Sequence, residues 1–190
     1  MQLRTALLTS CVAIGLSALV LGMSLDTRLP GDNSGYKPEQ PIAFSHQVHA
    51  GENRMDCQFC HQAAEKGRHA AIPPLTTCMK CHEQIKNKPG TKEPSPEIAK
   101  IQKALSEGRT VAWERIHRLP AYVYFNHSRH VNSAVACQSC HGEIQTMARV
   151  EQAKAQTMGE CLACHRQTNL TLAAAGKPKA APTDCGACHH

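Results

Sequence analysis

The sequence predicts a mostly irregular, α-helical fold of short helices packed around non-protein groups, with one membrane-spanning helix at its N-terminus. Three observations predict it. The 190-residue chain writes Cys-x-x-Cys-His five times. Aromatic residues make up only 4%, with one Trp, three Tyr and three Phe, so something else must fill the core. Thr5 to Leu25 is an uncharged run between Arg4 and Asp26.

The five motifs are Cys57-Gln-Phe-Cys60-His61, Cys78-Met-Lys-Cys81-His82, Cys137-Gln-Ser-Cys140-His141, Cys161-Leu-Ala-Cys164-His165 and Cys185-Gly-Ala-Cys188-His189. This spacing attaches a c-type haem: the two thiols bond the porphyrin vinyl groups and the adjacent imidazole becomes the proximal iron ligand. Ten of the eleven cysteines and five of the twelve histidines are used this way. Disulfides and zinc ribbons also pair cysteines, but neither demands His directly after the second Cys. Five covalently attached haems would replace the missing aromatics as core filling. The chain without them is expected to be largely unfolded, as in small domains whose metal supplies the folding free energy.

Residues 1–25 come first. A spanning helix needs about 20 predominantly apolar residues. A positive charge before the run and the mixed-charge segment Asp26, Arg28, Asp32 after it orient the body outward. A retained anchor is favoured over a cleaved export signal, which lacks a good small-residue cleavage site. Both place the body at the periplasmic face of the inner membrane, where paired cysteines and covalent haem attachment belong. Cys11, inside the run, reads as a small apolar residue rather than a lipidation site.

The body repeats. Phe44-Ser-His46-Gln-Val-His49 precedes the first motif, and Phe125-Asn-His127-Ser-Arg-His130, 81 residues later, precedes the third. Residues 26–85 form a dihaem module and residues 113–190 a trihaem module. The linker, 86–112, opens as a loop by composition and contains a helix over 96–107. Ser95 is its N-cap, Pro96 its first residue, Glu97 an acid in the first turn and Gly108 its stop, with Ile98, Ile101 and Leu105 on one face. Residues 167–183, rich in Ala, Lys and Pro, read as a loop.

The sixth ligand of each iron decides whether it transfers electrons or binds substrate. His46, His49, His127 and His130 are the first candidates. Histidines at i and i+3 share a helix face about 5–6 Å apart, so each can reach a different iron, with Phe44 and Phe125 packing on porphyrin. His117, in Trp113-Glu-Arg-Ile-His117-Arg-Leu-Pro, comes next. His69 is evenly poised between ligand and surface, and His190 is expected in solvent. Met158 and Met147 are thioether alternatives, and a Met ligand would raise that haem's potential.

These motifs resemble the multihaem class III cytochromes, and residues 125–190 resemble a trihaem module of that class. The resemblance implies pairs His46–His61, His49–His82, His127–His141 and His130–His165. The family places a His before the second attachment motif of such a module; here Met158 stands in that region. The sixth ligand opposite His189 is left open among His69, His117, Met147 and Met158. The anchor, the two-plus-three arrangement and the stretch from Trp113 through His117-Arg-Leu-Pro-Ala-Tyr-Val-Tyr-Phe-Asn to His127-Ser-Arg-His130-Val together resemble the pentahaem cytochrome c subunit of alternative complex III, a quinol:acceptor oxidoreductase. That family implies a periplasmic subunit of a membrane respiratory complex. Its partners would be an iron–sulfur subunit and a monohaem cytochrome c or terminal oxidase.

Net charge gives no support to a nucleic-acid partner. The formal +6 falls to about −4 once five haems bring ten propionates, and returns to about +1 when five irons are ferric. No side chain is a candidate nucleophile or general base, so no independent catalytic site is expected. Other electron-transfer readings are an anchored quinol dehydrogenase and a pentahaem donor to a periplasmic reductase. A reductase of nitrite or a similar small molecule would need an open iron, against which the supply of spare ligands argues. A disulfide- or zinc-stapled scaffold would be colourless.

Overall fold

A computed structural model describes residues 31–189; the apolar run of residues 1–25 and His190 lie outside these described residues. Six short α-helices occur among them: α1 Cys57–Cys60, α2 Leu75–His82, α3 Pro96–Ser106, α4 His127–Val131, α5 Gln138–His141 and α6 Met158–Ala174. A π-helix, Gln47–Glu52, and 3-10 turns at Ile144–Thr146 and Cys185–Ala187 complete the set. The described residues form no β-strand, only isolated bridges between Asn87 and Pro94 and between Val123 and His189. None of the described helices is long and apolar enough to cross a membrane.

The apolar core is small: Ile42, Ala64, Ile98, Ile101 and Ala104 are the buried hydrophobic residues among those described. Three of the five belong to α3, whose start and stop follow from its sequence. The Ser95 hydroxyl accepts from the Ile98 amide at 3.5 Å, and Pro96 occupies the first turn, where its missing N–H costs nothing. Gly108, at φ +62°, closes the far end as Gly108 and Arg109 donate to the carbonyls of Leu105 and Ala104. The buried stripe is Ile98, Ile101 and Ala104, with Leu105 only half-buried beside it. The helix packs on α2. It is also tied to residues 41–43, where Glu97 accepts from the Ala43 amide at 2.7 Å and Lys100 Nζ donates to the Pro41 carbonyl at 3.2 Å.

Residues 167–183 are not a loop throughout. Helix α6 runs on through the fourth motif to Ala174, after which Gly176 (φ +67°) and Lys177 donate to the carbonyls of Ala173 and Leu172. The absence of an apolar stripe hid this helix, because the only residue it buries among those described is the polar Asn169. That side chain holds the returning chain: Nδ2 donates to the Ala181 carbonyl, and Oδ1 accepts from the amides of Ala180 and Ala181.

The two halves interlock through backbone groups. The Gln47 amide donates to the Met147 carbonyl at 3.0 Å; in the other direction, the amides of His127 and Ser128 donate to the carbonyls of Arg68 and Gly67 at 3.2 and 3.1 Å. Asn132 Nδ2 reaches the Glu65 carbonyl at 3.2 Å. Gly51 lies so close to the Gln145 carbonyl that a Cβ there would overlap it. Gln152, fully buried, donates through Nε2 to the carbonyls of Gly31 and Lys154 and exchanges backbone bonds with Gly35 and Tyr36, seating the start of the body on the C-terminal half.

Candidate haem-binding site

Each Phe-x-His-x-x-His copy is a mount that orients its second histidine from within. In the first, the Ser45 hydroxyl accepts from the Val48 amide and the Ser45 carbonyl accepts from His49 Nδ1 at 2.8 Å. In the second, Asn126, the equivalent position, accepts from the Ser128 amide through Oδ1 and from His130 Nδ1 at 2.9 Å through its carbonyl. One residue therefore caps the turn with its side chain and orients the second histidine with its backbone. The phenylalanine works alike in both copies. Phe44 lies edge-on to His46 and stacks on His49 (4.3 Å, 26°), while Phe125 lies edge-on to His127 and stacks on His130 (4.6 Å, 28°).

The second mount is also clamped by the first half. Arg68 accepts His127 Nδ1 on its carbonyl at 2.7 Å, places its guanidinium 3.4 Å over the Tyr124 ring and donates through Nε to the Phe125 carbonyl at 3.4 Å. Sequence reasoning gave Arg68 no role; its carbonyl carries no side-chain signal.

Four imidazole pairs face one another. His46 and His61 have ring centroids 6.4 Å apart and planes 5° from parallel, and His127 and His141 repeat this at 6.3 Å and 6°. His130–His165 stand at 6.0 Å and 28°, and His49–His82 at 6.0 Å and 66°. An imidazole nitrogen bonds a first-row metal at about 2.0–2.1 Å and its ring centroid lies roughly 1.1 Å behind, so two imidazoles across one iron sit about 6.3 Å apart. These gaps fit one iron each. Among the described residues no cluster of three or more His, Cys, Asp or Glu could hold a bare metal ion, and the ten motif cysteines form no disulfide.

The far nitrogens fit as well. His61 Nδ1 donates to the Ala71 carbonyl (2.7 Å), His82 to Ile85 (2.8 Å) and His165 to Pro182 (2.5 Å). Because a carbonyl only accepts, the proton lies on Nδ1, and Nε2 keeps the lone pair that binds metal. Burial first, then neighbouring imidazoles, lower His46 and His141 to about 4, so both are neutral at pH 7.

The motifs also lie in a spatial order. Burial first, and then the neighbouring Cys137 thiol across the junction of the halves, raise the pKa of the Cys57 thiol. Burial raises the pKa of the thiols of Cys60, Cys78, Cys140 and Cys161 above the usual value, and thiols of adjacent motifs add to it: Cys81 for Cys60, Cys60 for Cys78, Cys164 for Cys140, and Cys140 and Cys188 for Cys161. In space the sequence of motifs is second, first, third, fourth, fifth. As free thiols these groups stay protonated at neutral pH, which leaves no reactive thiolate among them.

The fifth motif differs. It docks on residues 122–124, where the Tyr124 amide donates to the Cys188 carbonyl at 2.7 Å and the Tyr122 ring lies 5.8 Å from that of His189. His117, a candidate for the position opposite His189, instead sets its Nε2 3.3 Å from Nδ1 of His141, with ring centroids 4.5 Å apart and planes at 83°. That is too close for an iron between them. Met158 opens α6 and is 63% exposed; Met147 Cε lies near Gly142, and His69 is exposed.

Comparison with known proteins agrees with this geometry. Residues 24–103 match the class III cytochrome C family, and residues 123–190 match cytochrome c7 and related cytochrome c. The chain is 34% identical over 104 residues to the multihaem cytochrome c subunit of menaquinone reductase from Nitratidesulfovibrio vulgaris, covering 54% of this chain and 46% of that one. It is 26% identical over 173 residues to the multihaem cytochrome MtrA of Shewanella baltica, covering 80% of this chain and 52% of that one. The chain thus spans about half the length of these curated relatives.

Proposed function

We propose that this chain, whose two halves match the class III cytochrome C family and cytochrome c7 and related cytochrome c, is a multihaem c-type cytochrome that holds five covalent haems as the electron relay of a membrane-bound quinol-oxidising complex resembling alternative complex III. Cys57/Cys60, Cys78/Cys81, Cys137/Cys140, Cys161/Cys164 and Cys185/Cys188 would attach them. His61, His82, His141, His165 and His189 would be the proximal ligands, opposed in the first four by His46, His49, His127 and His130. The carrying observation is the four imidazole pairs at 6.0–6.4 Å. An iron with both axial positions filled exchanges electrons without binding a small molecule. Bound haem supplies the one-electron chemistry; the chain supplies ligands, orientation and a low-dielectric setting.

On this reading residues 26–85 and 113–190 are the dihaem and trihaem modules, and residues 1–25 anchor the body at the periplasmic face. The partners are an iron–sulfur subunit on the quinol side and a monohaem cytochrome c or terminal oxidase beyond. A relative named as a menaquinone reductase subunit supports a quinone-linked complex. The longer match, over 80% of the chain, is to a protein named only as a multihaem cytochrome, MtrA, and fits as well a second reading as a pentahaem donor to a periplasmic reductase. Purification from detergent-extracted membranes separates the two: co-elution with an iron–sulfur protein supports the first, and a lone cytochrome supports the second. Adding a quinol analogue to the purified complex should reduce these haems before the acceptor. If the acceptor turns over while they stay oxidised, the relay is wrong.

A further inference from the structure

Six histidines of the four facing pairs donate Nδ1–H to a backbone carbonyl: His49, His61, His82, His127, His130 and His165. The other two differ: His46 Nδ1 is buried with no hydrogen-bond partner, and His141 Nδ1 faces His117 Nε2 at 3.3 Å. We propose that His117 is a positioning residue for the third haem: its Nε2 accepts the Nδ1–H of His141, fixes that imidazole's tautomer and lowers the iron's reduction potential. The inference rests on the haem-relay reading above.

Three features of the site carry it. The His141 ring lies parallel to His127 at iron-spanning distance, so Nε2 is the nitrogen available to metal and the proton belongs on Nδ1. The planes of His117 and His141 stand at 83°, so the two rings do not stack. His117 is half-buried, so its Nε2 meets His141 inside the body of the protein rather than in open solvent. An imidazole nitrogen is a more basic acceptor than an amide carbonyl. It draws the Nδ1 proton further, gives His141 more imidazolate character and stabilises ferric iron. The third motif sits at the centre of the spatial order, beside Cys57, so a haem lowered there stands between the two halves of the relay.

The test is a spectroelectrochemical redox titration of the full haem-loaded protein, with haem content measured by pyridine haemochrome. His117→Leu should keep every haem attached and low-spin and shift one potential upward. His117→Gln, whose amide oxygen accepts more weakly than imidazole, should shift the same potential upward by less. An unchanged titration in either folded variant overturns the proposal. So does a new high-spin ferric signal, which would make His117 an axial ligand. Should His117→Leu not accumulate, His117→Gln alone decides. Absence of covalent haem in the parent protein would instead sink the relay reading, a different failure.

Discussion

At the residue scale, the proposed relay gives each histidine of the Phe-x-His-x-x-His copies one iron, and single substitutions test that. His130 faces His165, and on the proposed reading Cys161 and Cys164 would attach the porphyrin independently of it. His130→Ala should therefore leave the haem count unchanged and convert one iron from low-spin to high-spin, read by electron paramagnetic resonance. Retention of every low-spin signal would reject the pairing. The facing imidazole pairs were legible in the sequence because the i, i+3 spacing and the attachment motif are both local. What the sequence hid is their orientation. The Arg68 carbonyl that holds His127 Nδ1 comes from 59 residues away and belongs to the backbone, which every residue possesses. His117 was visible as a histidine near the third motif, but only the fold shows that its nitrogen serves another imidazole.

At the element scale, the helices are short enough that their caps decide whether they form. In α3 the sequence displayed every signal, and Ser95→Ala should cost about 1 kcal/mol through loss of the bond to the Ile98 amide. Chemical denaturation of the haem-loaded protein measures this; no change in midpoint would mean the cap is replaced by solvent. Helix α6 teaches the converse. Hydrophobic periodicity fails where a helix buries a single polar residue, but Gly176 followed by Pro178 was a stop signal that the sequence carried. Gly176 has φ +67° and open space where a side chain would go, so Gly176→Ala is disfavoured by backbone conformation alone. It should cost about 1–2 kcal/mol, and Gly176→Asn should cost less, since Asn tolerates that region. Equal losses would show that the cap is not left-handed in solution.

At the scale of the whole molecule, the two halves are joined where close backbone approach permits it, at Gly51 against Gln145 and at the Arg68–His127 clamp. Gly51→Ala should destabilise the protein by about 1–3 kcal/mol, because the added methyl meets a backbone carbonyl rather than a flexible side chain. The centre of the molecule is therefore more exacting than its end. Cys137 and Cys140 lie at the junction, with the first of them against Cys57, whereas Cys185 and Cys188 close the C-terminus on residues 122–124. Replacing Cys185 and Cys188 with Ser should yield a folded protein with one haem fewer and the remaining low-spin signals intact. Replacing Cys137 and Cys140 with Ser would remove the haem proposed between His127 and His141, and with it the reason for the Arg68 clamp to close. That variant should lose more than one haem or fail to accumulate. Haem stoichiometry and thermal denaturation of the two variants, measured side by side, decide the matter. If both lose a single haem and melt alike, the junction is not the element that holds the halves together, and each half folds around its own groups.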